Sequence, residues 1–275
     1  GNLGPAGEAT LVLVGSGLLV AFVALETRVP HPMFRLALFR NRAFAAGNLA
    51  ILLNALARGA FTFVMVFYLQ GPPLFLSPIT AGLFLIPVSI SLASVGPVSG
   101  FLSDRYGARL FATTGLLVSA VGFLWLTTIG PGVPFVELLG PFVLVGVGMG
   151  LFASPNRASI MNAVPPESRG VASGISTTLV NASTTFSLAL AILVISSVMG
   201  RPQVEAIFLG TGVHGQYPPA LIASFVDSIH RVFFVSTGLL LLALLPSALR
   251  GPIGPGGGGR PPGTAPGRPG ARPSG

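Results

Sequence analysis

Charged residues in this chain are concentrated in short segments between long apolar runs. The clearest segment is residues 100–110, which read G-F-L-S-D-R-Y-G-A-R-L. Gly100 and Gly107 permit an immediate turn there, because glycine accepts backbone conformations that other residues resist. The carboxylate of Asp104 would then lie near the first turn of the following helix, where the helix macrodipole stabilises an anion. The segment therefore predicts a tight charged turn between two helices.

Arg58 is a second candidate, because it lies about 15 residues into an apolar run at 43–69. A charge at the middle of a bilayer costs at least about 2.5–3.5 kcal/mol on insertion scales, so it should face a cavity or a partner. Asn54, Phe61 and Met65 fall close to the same helical face and are predicted to share a pocket with it. The alternatives are structural pairing of Arg58 within the helices and ordinary core packing of Phe61 and Met65.

A polar stripe runs along the apolar segment at 171–199. Its members recur every four residues and so lie on one face of one helix, and they are Ser173, Thr177, Asn181 and Thr185. One interpretation is that the stripe lines a water-filled cavity. The other is helix–helix hydrogen bonding, at about 0.6 kcal/mol per contact. The sequence leaves both open.

The composition is that of a membrane protein. The 275 residues are 51% hydrophobic and 8% charged, with a mean hydropathy of +0.82, whereas soluble domains carry about 25% charged residues. The net charge of +8 comes from 15 arginines without lysine, but no basic stripe with interleaved aromatics indicates nucleic-acid binding. The lack of cysteine excludes disulfides and thiolate chemistry.

Neither an enzyme nor a metal site is predicted. Intramembrane hydrolysis would need a Ser/His or Asp pair at depth, or zinc ligands. No acid lies in the middle of an apolar run, and the three histidines lie in connectors or at the end of a run: His31, His214 and His230. We expect no cofactor.

We predict an all-α, polytopic membrane bundle of about seven transmembrane helices. The domains are a linker transmembrane helix at 1–26, an amphipathic cytoplasmic connector at 27–42, a six-helix bundle at 43–249 and a disordered Gly/Pro/Arg tail at 250–275. The predicted spans are 10–25, 43–69, 78–100 (broken by Pro87 and Pro97), 110–129, 135–155, 171–199 and 231–249. A start at Gly1 rather than Met suggests a piece of a longer protein.

The arginines orient these spans. With 27–42, 102–109, 156–170 and the tail placed in the cytoplasm, twelve of the fifteen arginines are inside, as the positive-inside rule requires. The polar segment at 200–230 is then an outer loop. Gly146, Gly150, Gly170 and Gly174 offer small faces for helix packing.

The spacing G-x-x-x-D-R-x-G-x-R in 100–109 resembles the signature loop of the major facilitator superfamily. An ordered set of further motifs is similar to the C-terminal half of its fourteen-span drug:proton antiporter branch: F-R-N-R-A-F from residue 39, F-Y-L-Q-G from 67, G-V-G-M-G from 146, S-P-N from 154 and P-P-E-S-R-G-V-A-S-G from 165. Ala108 departs from the pattern, since the superfamily loop usually has another basic residue there.

The resemblance implies proton-coupled export of amphipathic, drug-like compounds across the plasma (inner) membrane, with an N-terminal half as partner. It also implies a gating loop in which Asp104 pairs with Arg157, a device suited to alternating access; its residues are Gly100, Asp104, Arg105, Gly107, Arg109 and Arg157. The alternative for the loop is a topogenic charge cluster. Alternatives for the whole chain are a non-transporting membrane fragment, an assembly or sensor protein, and a transporter of another small solute.

Overall fold

The computed structural model describes residues 5–26, 36–208 and 217–249. These residues form α-helices and two short 3-10 helices, Leu36–Arg40 and Pro166–Ser168, without a strand. In chain order the α-helices are α1 (Pro5–Glu26), α2 (Arg42–Gln70), α3 (Pro78–Phe84), α4 (Ile86–Tyr106), α5 (Ala108–Leu126), α6 (Phe135–Asn162), α7 (Arg169–Val198), α8 (Arg201–Phe208) and α9 (Pro219–Leu249). The predicted all-α class is confirmed.

Six segments within the described residues are long and apolar enough to cross a membrane. They are Arg42–Gln70, Pro78–Tyr106, Ala108–Leu126, Phe135–Asn162, Pro166–Val198 and Pro219–Leu249. They correspond to the predicted spans from the second to the seventh, and they confirm a polytopic helical bundle. The first predicted span, 10–25, falls within α1, a helix of 22 residues, and its crossing of the membrane stays a prediction.

Two of the predicted domains lie largely outside the described residues. The tail at 250–275 is wholly outside, and the connector at 27–42 is described only from residue 36, where it forms the 3-10 helix Leu36–Arg40. The prediction of one polar outer loop over 200–230 is wrong in part. Residues 201–208 form α8, and α9 begins at Pro219, twelve residues before the predicted start of the last span at Arg231.

Local sequence signals place the helix ends. Asn41 is the N-cap of α2, where its Oδ1 accepts hydrogen bonds from the backbone N–H groups of Ala43 at 2.9 Å and Phe44 at 3.3 Å. Its Nδ2 donates to the carbonyl of Ala163 at 2.7 Å. One asparagine therefore caps α2, as Asn commonly does, and also ties the start of α2 to the end of α6.

The third span is divided once rather than twice. α3 ends at Phe84 and α4 begins at Ile86, so that Pro87 occupies the first turn of α4, where its missing N–H costs nothing. Pro97 lies inside α4, which continues through it. The predicted break at Pro87 is confirmed and the one at Pro97 is wrong, because proline is tolerated inside membrane helices.

The bundle consists of two groups of helices, joined through α9 and through contacts of α2 with α5 and α6. α6 packs between α4 and α5, while α2 packs against α7 and α9, and α9 also contacts α5. α5 and α6 cross closely: a Cβ placed on Gly115 would lie 2.6 Å from the Phe152 nitrogen and 2.7 Å from the Gly148 oxygen. Small residues there let two backbones touch, as is common in membrane bundles.

The predicted packing role of four glycines holds for two of them. Gly146 and Gly150 lie against α4, where a Cβ on Gly146 would be 2.8 Å from the Ser91 Cβ and one on Gly150 would be 3.0 Å from the Val95 Cβ. Nothing lies within 4 Å of the corresponding positions on Gly170 and Gly174. The glycines of α6 therefore allow close packing against α4, whereas no atoms of the described residues pack against the glycines at the start of α7.

Aromatic rings fill the centre of the bundle. The Phe61 ring of α2 lies 5.5 Å from Phe123 of α5, 6.1 Å from Phe142 of α6 and 6.3 Å from Phe233 of α9, centroid to centroid. The first two pairs are edge-to-face, an arrangement that adds to the stabilisation from burial. This cluster fixes the position of α2 relative to the other spans.

Candidate functional site

The predicted charged turn is present but shorter than expected. α4 continues to Tyr106 and α5 begins at Ala108, so that Gly107 alone joins them, with φ at 92°. Its turn-forming role is confirmed, since this region of φ favours glycine. Gly100 does not form a turn. It lies inside α4 against α6, where an added Cβ would be 2.5 Å from the Ser154 Oγ.

Asp104 lies in the last turn of α4 and is therefore close to a helix C-terminus as well as to the start of the next helix. Its side chain is exposed, and it precedes the first residue of α5, Ala108, by four positions. The dipole of α4 does not stabilise this carboxylate, because a helix C-terminus carries partial negative charge, and the expected stabilisation by the first turn of α5 stays a prediction. Arg105 suits that position, and its guanidinium carbon lies 5.7 Å from the Phe101 ring centroid.

Asp104 and Arg157 lie at the same end of the bundle without an ion pair between them. Among the described residues the ion pairs are Arg201–Glu205 and Arg231–Asp227, both at 3.3 Å. The Gly100–Ser154 contact joins α4 and α6 four residues before Asp104 and three before Arg157. Each charged group is thus about one helical turn beyond a shared contact. Arg109 is exposed nearby at the start of α5.

The polar stripe of α7 faces away from its own bundle. Ser173, Thr177, Asn181 and Thr185 are all exposed, while the buried side of α7 carries Ser176, Ser183 and Ser187. The Thr185 hydroxyl donates within its own helix, to the Asn181 carbonyl at 3.2 Å. The alternative to a cavity was hydrogen bonding between helices. In the present conformation this stripe does not hydrogen-bond to the other described helices.

Arg58 also faces outward, but the predicted pocket around it is not formed. It is exposed on α2 together with Thr62 and Val66. Phe61 is 4% exposed within the aromatic cluster, and Met65 is fully buried, so these two are core residues and their assignment to a cavity is wrong. Asn54 is 8% exposed and lies at the edge of the same core.

Arg58 and the α7 stripe lie on one side of the contact between α2 and α7. Gly59 touches α7, since its added Cβ would be 2.9 Å from the Ser187 Cβ and 3.4 Å from the Thr184 Cα. Three spans separate α2 from α7, so the two run in the same direction. Successive residues turn the same way around both right-handed helices, so in parallel helices that face each other they leave the contact on opposite sides. The residue before the contact on α2 therefore lies on the same side as the residue after it on α7. These residues are Arg58 and Thr185.

We refer to these exposed groups together as the open polar face: Arg58, Ser173, Thr177, Asn181 and Thr185. It joins one cation to hydroxyl and amide groups that can donate and accept hydrogen bonds. Such a surface can orient a polar or anionic group, or pair with an acid on another chain segment. The described residues contain no group of three or more His, Cys, Asp or Glu suited to a metal ion.

A buried polar cluster behind this face was not predicted from the sequence. The Ser176 hydroxyl donates to the Asn48 Oδ1 at 2.7 Å, and the Asn48 Nδ2 donates to the Phe44 carbonyl at 3.0 Å. The Asn156 Nδ2 donates to the Gly47 carbonyl at 3.3 Å. Asn48 and Asn156 each interrupt an apolar run, which was the available signal, because a buried amide requires partners.

Comparison with known proteins gives the family context. The model of the Major Facilitator Superfamily matches residues 43–269. The riboflavin transporter RibZ of Clostridioides difficile is 29% identical over 177 residues, which are 63% of this chain and 39% of that protein. The cephamycin export protein CmcT of Amycolatopsis lactamdurans is 31% identical over 216 residues, 76% of this chain and 44% of that protein.

A third relative covers more of the chain at lower identity. The lincomycin resistance protein LmrB of Listeria monocytogenes is 25% identical over 242 residues, which are 87% of this chain and 50% of that protein. The chain therefore spans between 39% and 50% of the length of these three relatives.

Proposed function

This chain belongs to the Major Facilitator Superfamily, and from that premise we propose that it is the C-terminal half of a proton-coupled exporter of amphipathic, drug-like compounds. The half corresponds to the fourteen-span antiporter branch, works by alternating access in the plasma membrane, and lies with 27–42, 102–109, 156–170 and the tail in the cytoplasm. The substrate class is supported by relatives named for cephamycin export and lincomycin resistance.

The observation that carries the proposal is the open polar face. Membrane proteins bury costly polar and charged groups against partners or a water-filled path, yet Arg58 and the α7 stripe are exposed on the bundle. A second bundle facing them would close a polar path between two apolar halves. That arrangement is typical of transporters built from repeats around a central site.

The charged turn supplies the gate in this proposal. In the present conformation Asp104 and Arg157 are exposed and about one turn beyond the α4–α6 contact at Gly100 and Ser154. A hydrogen-bonded ion pair between them would contribute about 1.5–3 kcal/mol when partly buried. This is enough to shift an equilibrium between inward-open and outward-open states at the cytoplasmic end.

Dye export tests the proposal. The protein is expressed from its complete gene in cells that lack their main drug exporters, and efflux of a lipophilic cationic dye is followed with and without a protonophore. We expect energised efflux that the protonophore abolishes. Efflux that persists after the proton gradient collapses would contradict the coupling, and equal dye retention with and without expression would contradict the substrate class.

A transporter of another small solute is the second candidate, because RibZ, a relative of similar identity, is a riboflavin transporter. Uptake or export of riboflavin by the same cells distinguishes the two substrate classes. Riboflavin movement without dye movement would favour this candidate. Movement of neither compound, with the protein present in the membrane, would favour the non-transporting sensor or assembly protein.

A further inference from the structure

A pocket of about 560 Å³ opens between the ends of α5 and α7 and the middle of α9. It is lined by Thr127, Val194, Ser197, His230, Arg231, Phe234 and Val235. Its volume falls in the range of about 300–1,000 Å³ that is usual for small-ligand sites. The lining is mainly apolar, with hydroxyl groups and one arginine at the level where α5 and α7 end.

This pocket is separate from the open polar face. Val194 and Ser197 follow Thr185 in α7 by nine and twelve positions, which places them about 180° and about 120° away around the helix axis at about 100° per residue. A ligand in the pocket therefore contacts a different flank of α7 from a molecule at Arg58 or Thr185.

The pocket lies at the level where α5 and α7 end, and α9 continues past it to Pro219. α5 ends at Leu126, one residue before Thr127. α7 ends at Val198, one residue after Ser197. His230 of α9 is held at the same level by a 2.6 Å hydrogen bond from its Nε2 to the Ile129 carbonyl. The polar end of the pocket thus lies where lipid headgroups meet the helices, and Phe234 and Val235 lie one turn deeper along α9.

Arg231 has donors available for a ligand. Its Nε donates to the Asp227 carboxylate at 3.3 Å, and both side chains are more than half exposed. An exposed pair of this kind is weak, and it uses one of the five guanidinium N–H groups, leaving the terminal groups free. A phosphate is a natural partner for them, because the planar guanidinium matches its oxygens.

We propose that this pocket binds a phospholipid, with its phosphate on Arg231, one acyl chain along Val194, Phe234 and Val235, and a preference for an anionic headgroup. The hydroxyls of Thr127 and Ser197 donate to the carbonyls of Leu124 at 2.6 Å and Val194 at 2.7 Å, so towards the lipid their oxygens accept hydrogen bonds from headgroup hydroxyl groups. Arg231 supplies the charge that distinguishes an anionic from a zwitterionic lipid. A bound lipid would join the ends of α5 and α7 to the middle of α9 on the flank away from the transport path.

Quenching of a single tryptophan by brominated lipids tests this site. The chain has one tryptophan, Trp125, so a W125F/F234W variant reports from the pocket alone. The variant is reconstituted in phosphatidylcholine vesicles with increasing fractions of dibrominated phosphatidylglycerol or dibrominated phosphatidylcholine. We expect phosphatidylglycerol to bind about fivefold more strongly, the usual effect of one basic residue near a membrane surface.

Two controls locate that preference. The unsubstituted protein reports from Trp125, which is 48% exposed beside Gly140 and does not line the pocket; it should show a binding ratio near one. Adding Arg231→Gln to the W125F/F234W variant should reduce the ratio there to about one, whereas adding Asp227→Asn should maintain or raise it. Circular dichroism confirms that each variant keeps its helices.

Three results would overturn the proposal. They are a binding ratio near one in the W125F/F234W variant, a preference that Arg231→Gln leaves unchanged, and an absence of quenching by either lipid. The last would mean that another occupant, such as a polypeptide segment or a drug-like compound, covers the pocket. None of these results depends on transport, so the proposed export function is tested independently.

Discussion

A single arginine, Arg58, gives the most direct test of the open polar face. It is exposed on α2 beside Gly59, which contacts α7. Because a guanidinium in a transport path acts through both its charge and its hydrogen bonds, we expect Arg58→Ala to lower dye efflux at least about tenfold, equal to about 1.4 kcal/mol. Arg58→Lys should keep part of the activity. Efflux rates in cells with matched protein levels measure the effect.

The matched control for Arg58 is Arg201, an arginine of α8 whose side chain is 92% exposed in an i,i+4 ion pair with Glu205. Arg201→Ala removes the same charge far from the open polar face and should leave efflux unchanged. If Arg58→Ala exports as fast as the parent protein, Arg58 has no part in the mechanism.

The buried hydroxyl of Ser176 is a stability element rather than a transport residue. It donates to the Asn48 Oδ1 at 2.7 Å, and its loss leaves that buried acceptor without this donor. We expect Ser176→Ala to lower the free energy of unfolding by about 1 kcal/mol. This value lies between the average contribution of a hydrogen bond in a membrane protein and the cost of leaving a buried polar group without a partner. Ser173→Ala, exposed three residues earlier, should change it by less than about 0.5 kcal/mol. Equal effects of the two substitutions on unfolding in SDS would contradict this assignment.

The sequence could predict that Arg58 avoids the core, but it could not predict which neighbours on its face do the same. Met65 lies about 20° from Arg58 around α2 at about 100° per residue, yet Met65 is fully buried and Arg58 is exposed. Helices in a bundle cross at an angle, so the buried side rotates along each helix. A pattern within one helix does not contain that angle.

At the scale of helices, the α5–α6 crossing depends on Gly115. A Cβ there would meet backbone atoms, the Phe152 nitrogen at 2.6 Å and the Gly148 oxygen at 2.7 Å, which cannot rotate away. We expect Gly115→Ala to destabilise the bundle by about 1–3 kcal/mol through overpacking. Gly174→Ala has nothing within 4 Å and should be neutral or stabilising, since alanine favours helix. The free energy of unfolding in SDS measures both, and a neutral Gly115→Ala would show that α5 and α6 are not in close contact.

The ends of the helices were predictable where a residue imposes a backbone conformation. Gly107 forms the turn between α4 and α5, and Pro87 marks the start of α4, as expected. The end of α4 was not predictable from polarity, because a helix can continue past the apolar region into the headgroup layer. α4 therefore includes both Gly100 and Asp104. Polarity gives the depth of a residue in the membrane, whereas only backbone chemistry gives the point where a helix ends.

At the scale of the whole molecule, the all-α bundle followed from hydropathy because each apolar run must satisfy its own backbone within lipid. The arrangement of the spans did not follow. The packing of α2 and α9 against α5, and the turning of the α7 stripe away from the bundle, depend on contacts of glycine and phenylalanine residues. Examples are Gly59 against Ser187 and Phe61 against Phe233. These contacts join residues more than 100 positions apart. The periodicity of a single segment carries no information about contacts between segments so distant in the sequence.

The orientation of the bundle is the remaining prediction at this scale. Two exposed positions lie at opposite ends: Tyr106 in the last turn of α4, and Gln203 in α8, which follows the end of α7. Residues 1–275 contain no cysteine, so Tyr106→Cys and Gln203→Cys each add one thiol to them, and the protein without either substitution measures the background labelling. Because arginines favour the cytoplasmic side, a membrane-impermeant maleimide should label Gln203→Cys in intact cells. It should label Tyr106→Cys only after permeabilisation. The reverse pattern would place the charged turn outside, and Asp104 and Arg157 could then not form a cytoplasmic gate.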